Sequence, residues 1–362
     1  MIGRPAPNFG AIDEQTPFEA ALAGATRSRA TALWLCVVAA LVLAMVVVGG
    51  ATRLTGSGLS ITQWKPVSGI LPPMSAHAWT IEFAHYRQIP QYKLVNRGMS
   101  MAQFQGIFWW EWAHRLLGRL VGGAFAIPFV ILWATGQLPR RLLGRCGVLF
   151  CLGALQGVVG WWMVQSGLET RIAVAPERLA THLGLALLLF SALIWTALEA
   201  WAGPAAGQRR RDGWTLVSTL LALAVFAQCL FGALVAGNKA GLIDNNWPMM
   251  GGAFVPTDYW RAGLWATLAH GASAVQFNHR MIAYGVLALT LLIAWNGLRS
   301  TSAPWNLRRL TIGVGLLAIT QVALGVATLV SGVALWLALL HQFTAALLLA
   351  ATVALTWRSR RN

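Results

Sequence analysis

Charge is scarce in this 362-residue chain. Asp, Glu, Lys and Arg make up 10% of it and only 11 residues are acidic, whereas a soluble domain carries about a quarter charged residues. That shortage excludes an ordinary soluble globular fold. Cysteine is scarce too: Cys36, Cys146, Cys151 and Cys229 all fall inside or at the ends of apolar runs. None forms a CxxC pair, so no disulfide framework is expected and the four read as small buried apolar residues. The first thirty residues lack an apolar core and contain Asp13, Glu14 and Glu19, which fits neither a secretory signal nor an acid-poor transit peptide.

What the chain has is apolar length. Hydrophobic residues make up 57% of it and the mean hydropathy is +0.61. A bilayer crossing takes about 20 apolar residues, and eight such runs occur, at roughly 31–51, 113–134, 146–166, 179–201, 214–236, 277–297, 309–330 and 334–357. The expected fold is all-α: a polytopic membrane protein of eight transmembrane helices.

The net charge of +16 is a topology signal, not a nucleic-acid footprint. Arginines gather at Arg27 and Arg29, at Arg140, Arg141 and Arg145, and at Arg209 to Arg211. They gather again at Arg299, Arg308 and Arg309, and at Arg358, Arg360 and Arg361. With eight spans these places are both termini and alternate loops, all on one side. Positive charge marks the cytoplasmic side, so both termini are expected there, with a bacterial inner membrane as the simplest home.

The chain is written twice. Gly58, Leu59, Trp64, Gly69 and Pro73 match Gly241, Leu242, Trp247, Gly252 and Pro256 at a constant offset of 183. His114-Arg115 matches His279-Arg280, and "QGVVG" from Gln156 matches "QVALG" from Gln321, both at an offset of 165. The segment around His182 matches that around His341. Two four-helix bundles of one plan and one orientation follow, pseudo-symmetric about an axis along the membrane normal. The expected organisation is an N-terminal cytoplasmic tail (1–30), a first half (31–203), a cytoplasmic linker (204–213), a second half (214–357) and a C-terminal tail (358–362).

Four of the seven histidines head the even-numbered spans: His114, His182, His279 and His341. All are expected near the outer face at similar depth, two per half. A lone histidine there is more often a hydrogen-bonding or interfacial residue. Four at matched positions of a duplicated unit read instead as metal or haem ligands, since haem iron takes two axial imidazoles within a helix bundle. Zinc suits them less, because the four form two pairs with no Cys or third ligand nearby. His77, His85 and His270 have no counterpart in the other half and read as surface residues.

Glu111 stands three residues before His114, and Gln276 three before His279. One half thus carries a proton-active carboxylate and the other its neutral near-isostere, which makes the Glu111 half the candidate for chemistry. Pairing of Glu111 with Arg115 at the interface is the plainer alternative. Arg115 and Arg280, each directly after a ligand candidate, suit haem propionates or equally lipid headgroups. Gln156 and Gln321 with their glycines read as close helix packing. Trp109, Trp110 and Trp112 suit either a porphyrin wall or an interface belt.

The segments "GGATRLTGSGLSITQWKPVSGILPP", "FWWEWAHRLLGR", "RLATHLGLALLL", "GNKAGLIDNNWPMMGG", "FNHRMIAYG" and "LLHQFTAALLLA" together resemble haem A synthase, in its longer alphaproteobacterial and mitochondrial form. The resemblance runs in order from about residue 31 to 357. It implies oxidation of a porphyrin methyl group of haem O to the formyl group of haem A, by successive hydroxylations with oxygen from water. It further implies that His114 and His182 hold the substrate haem, that His279 and His341 ligate a haem b cofactor, and that Glu111 is catalytic. Haem O synthase and terminal-oxidase assembly factors become candidate partners beside membrane lipid, and a homo-oligomer stays open. Some members carry a cysteine pair in the first outer loop; residues 52 to 106 here have none, which fits the longer form. Three rivals remain at this level, the weakest of them a pure haem-binding chaperone. A di-haem electron carrier explains the histidines but not Glu111 against Gln276, and a transporter is disfavoured by ionisable residues lying at span ends.

Overall fold

The computed structural model describes residues 28–204, 213–260, 263–301 and 304–361. The N-terminal tail up to residue 27 and most of the linker, with Arg209 to Arg211, lie outside them. Among the described residues eight helices are long and apolar enough to cross a membrane. They are α1 (Arg29–Leu54), α2 (Met101–Ala134), α3 (Arg140–Leu168), α4 (Pro176–Ala202), α5 (Gly213–Gly237), α6 (Ala272–Arg299), α7 (Trp305–Val330) and α8 (Leu335–Ser359). The only other regular structure described is short helices in the outer loops and one isolated bridge between Met250 and Ala253.

The chain marks its own helix ends. Ser28 Oγ accepts from Thr31 N at 3.2 Å to start α1, and proline opens α4 at Pro176, where a missing N–H costs nothing. Gly203, at φ +77°, closes α4 in a conformation open to glycine without a Cβ penalty.

α2 departs from expectation. It begins at Met101, not near residue 113, because Ser100 and Gln103 form a reciprocal capping box far outside the apolar run. The added turns pack on a loop helix, Ala76–Tyr86, through Phe104, Phe108, Phe83 and Tyr86. Trp79 meets Phe108 edge-on at 4.9 Å. The segment ahead of the apolar run is therefore a second small core, and His114 lies several turns into its helix.

Each half closes into a ring. α1 packs on α2 and α4, and α3 packs on α4; α5 packs likewise on α6 and α8, and α7 on α8. The halves meet where α4 touches α5, α8 touches α1, and α4 crosses α8. That exchange-symmetric pattern is the parallel repeat that the sequence predicts. The main core runs through the middle of both rings, with Leu35, Val38, Leu142, Leu193, Leu221 and Leu349 nearly or fully buried.

Polar clasps join the halves at both ends. Arg53 donates to the carbonyls of Ala236 at 2.9 Å and Gly237 at 3.2 Å. At the arginine-rich end Trp357 Nε1 donates to the buried Glu199 carboxylate at 3.0 Å, and Arg361 lies 3.5 Å from its other oxygen. Of the cysteines, Cys146 is buried as expected, but Cys36 and Cys151 face outward from the bundle. An exposed thiol costs little where the surroundings are hydrocarbon.

Candidate functional site

In each ring the histidines come from the two diagonally placed even helices, α2 and α4 or α6 and α8. His114 is within electrostatic reach of His182, and His279 of His341. Each imidazole is half-buried and rests in a notch cut by a glycine on the preceding odd-numbered helix. A Cβ built on Gly49 would stand 3.4 Å from the His114 ring, and one on Gly160 3.0 Å from His182. The corresponding distances are 3.2 Å from Gly232 to His279 and 2.9 Å from Gly325 to His341. An alanine at the last three would press on the ring, so these glycines set the imidazole position.

One turn before three of these notches stands a glutamine. Gln156 Nε2 donates to the backbone carbonyl of His182 at 3.0 Å and lies 3.2 Å from its Nδ1. Gln228 Nε2 does the same to His279, at 2.9 Å and 3.0 Å. Gln321 Nε2 serves His341, at 3.0 Å to both atoms. The glutamines are ring-positioning residues, not only packing ones. Gln228 escaped the sequence comparison because its counterpart in the first half, by the loop offset of 183, is Met45.

The outer loops are tied down by a duplicated clamp. Arg115 Nη1 donates to Gln63 O at 2.9 Å and its Nη2 to Ile61 O at 2.6 Å. Arg280 Nη1 donates to Asn246 O at 3.0 Å and its Nη2 to Asp244 O at 2.8 Å. Ile61 and Asp244, and Gln63 and Asn246, are the same repeat positions. Both arginines therefore hold loops over the histidine pairs, a use that sequence could not distinguish from propionate or headgroup binding because the partners are backbone atoms.

Glu111 and Gln276 complete the clamp in opposite senses. Both are only 3% exposed. Glu111 Oε2 accepts from Ser60 Oγ and from Ile61 N, each at 2.8 Å. Its Oε1 accepts from Arg115 Nε at 3.1 Å and Nη2 at 2.6 Å. Gln276 Nε2 instead donates to Asp244 O at 3.0 Å, while its Oε1 is buried without a hydrogen-bond partner. So the pairing of Glu111 with Arg115 is present, and it is part of the loop anchor.

The remaining histidines stay apart from these sites. His77 is exposed, His85 touches Gln63 at 3.3 Å, and His270 lies 3.9 Å from Glu177. Among the described residues no group of three or more His, Cys, Asp or Glu gathers in one place. Paired imidazoles in glycine notches fit a flat group needing two axial ligands. Arg280 Nε, buried without a partner, offers a donor to such a group's carboxylates.

Comparison with known proteins gives the family. Residues 32–353 match the COX15-CtaA family, described as cytochrome oxidase assembly protein. A protein of Caulobacter sp. (strain K31) named "Heme A synthase" is 56% identical over 337 residues, covering 92% of this chain and 97% of that relative. Proteins of the same name from Caulobacter vibrioides and Methylobacterium sp. (strain 4-46) are 54% and 51% identical, covering 92% and 89% of this chain and 97% and 89% of themselves. With the match running across both rings and every histidine notch, the chain belongs to the COX15-CtaA family of cytochrome oxidase assembly proteins.

Proposed function

We propose that this membrane enzyme is an oxidoreductase that converts the methyl group of haem O to the formyl group of haem A, for terminal-oxidase assembly. The observation that carries the reading is the one-sided carboxylate: two equivalent pairs of imidazoles, with Glu111 three residues before one member of the first pair and Gln276 three residues before its counterpart in the second. In this reading His114 and His182 hold the substrate haem, and His279 and His341 hold haem b. Haem b, when bound, supplies a one-electron redox centre. Gln228 and Gln321 would orient the two imidazoles that hold it, and Arg280 Nε would be available to a propionate. In the first half all the donors of Arg115 that face the loop are engaged, so a propionate there must compete with the carbonyls of Ile61 and Gln63.

Turning a methyl into a formyl group takes one oxygen from water and releases four electrons and four protons, the electrons passing finally to an external acceptor. Positive charge develops next to the porphyrin, where an anionic group fixed nearby lowers the barrier. Glu111 is that group. It accepts four hydrogen bonds, and of their donors the Ser60 hydroxyl is the one free to rotate, which would open Oε2 to a proton from the attacking water.

The arginine-bearing helix ends, at Arg29, the α2–α3 and α6–α7 turns and Arg358 to Arg361, support an inner-membrane protein with both termini cytoplasmic. Haem O is too apolar to travel freely, so we take haem O synthase as the donor and oxidase assembly factors as the recipients. The test is haem extraction and chromatography of wild type and Glu111→Gln, made in cells that supply haem O. Wild type carrying haem B with haem O and haem A, and a variant accumulating haem O or a part-oxidised form with turnover reduced about 100-fold or more, is the expected result. Haem B alone in both proteins means an electron-transfer cytochrome instead.

A further inference from the structure

Three of the four histidine notches are the same object and the fourth is not. At His182, His279 and His341 the glutamine four residues before the notch glycine bonds the histidine carbonyl and touches the ring. At His114 the glycine is present as Gly49, but Met45 occupies the glutamine position. The methionine side chain lies against α2 one turn past His114. A Cβ on Gly118, one turn past His114 on its face of α2, would stand 3.5 Å from Met45 Cε. No hydrogen bond to the His114 ring is formed by any described residue, whereas the other three rings each have one.

A thioether is a weak acceptor and no donor. It fills the gap and lets the imidazole turn, where a glutamine amide that donates to the histidine carbonyl and lies against the ring restricts it. We propose that Met45 makes His114 the dissociable ligand, the one that leaves the iron of the substrate haem so that haem O can enter and haem A can depart. The proposal rests on the reading of His114 and His182 as the substrate pair. A cofactor is kept for the life of the protein, and both of its histidines are pinned. A substrate must be exchanged at each turnover, and a pair with one pinned and one free imidazole permits exchange without losing register, since His182 remains held by Gln156.

The experiment is a reciprocal exchange in the full-length protein, Met45→Gln and Gln228→Met, with Met45→Leu as an apolar control. The glutamine fits at the equivalent position of the second half, so the variant has a precedent in the same fold. Haem extraction first establishes what each protein carries. Carbon monoxide is then mixed with the dithionite-reduced protein, because it binds only where an axial histidine has left. One added amide contact is worth about a factor of ten in an equilibrium. The first-half haem of Met45→Gln should therefore take up carbon monoxide about tenfold more slowly than wild type, with Met45→Leu unchanged. In Gln228→Met the second-half haem should become reactive. Wild type without haem O or haem A overturns the substrate reading itself and this inference with it. Haem present but equal rates in wild type and Met45→Gln overturns the inference alone.

Discussion

The two halves share a ring of helices, four glycine notches and a loop clamp, and they differ at a few side chains that all bear on what the bound group can do. In the second half every contact is of the holding kind: two glutamines pin two imidazoles, a neutral amide faces the loop, and α6 closes tightly on α7. In the first half a carboxylate replaces the amide, a methionine replaces one glutamine, and α2 meets α3 only sparsely. The lesson is that one repeated cradle can be varied at single side chains, and on the proposed reading those changes turn one copy towards exchange and chemistry.

The harshest test of the comparison removes one histidine from each half. His279→Ala should abolish turnover and cost one equivalent of haem B per chain in extraction. His114→Ala should leave haem B in place and lose haem O and haem A. If the losses are reversed, the halves have been assigned the wrong way round.

Gln276→Glu makes the second clamp resemble the first, and it should not work well there. Glu111 meets an N–H, that of Ile61, whereas Gln276 meets a carbonyl, that of Asp244. A carboxylate at 276 would face the Asp244 carbonyl without the Ser60 hydroxyl to help it, and of Arg280 only Nε is left to answer it, since both Nη atoms already serve the loop carbonyls. Leaving a buried group unsatisfied costs about 1–3 kcal/mol. A lowered midpoint in thermal unfolding of the detergent-solubilised protein, at unchanged haem B content, is expected. An unchanged midpoint would mean that the two clamps are interchangeable and that the Glu111 asymmetry has no structural cause.

Most of the scaffold was legible in the sequence because hydropathy, arginine placement and repeat offsets are long-range patterns that single residues do not disturb. The eight spans, the two rings and the Glu111–Gln276 contrast came from those. The early start of α2 was not, because hydropathy reports only what crosses the bilayer; the Ser100–Gln103 capping pair was the available signal. The loop clamp was hidden since Arg115 and Arg280 bind backbone carbonyls, which carry no side-chain identity. Gln156 and Gln321 were seen but assigned to packing, and Gln228 was missed, for the notch motif is broken by Met45 in the very copy against which it would be aligned.

The mildest prediction concerns the seam between the second and third helices of each ring. In the second half small residues close it: a Cβ on Gly297 would run into Thr311, and one on Gly315 would stand 3.0 Å from Ala294. The first half has Leu132, Phe150 and Phe129 at the positions of Gly297, Gly315 and Ala294, and side chains of that size wedge the helices apart. Phe129 and Phe150 stack at 6.3 Å across the gap, and Phe150 is 46% exposed. Gly297→Leu should therefore cost about 1–3 kcal/mol, as overpacking does. Phe150→Ala, which gives up one half-exposed stacked pair, should cost about 1 kcal/mol. Tryptophan-fluorescence unfolding of the two variants side by side decides the matter. If the glycine variant is no less stable than the phenylalanine variant, the second seam is as loose as the first, and the tight cofactor half and open substrate half are no longer distinguished by packing.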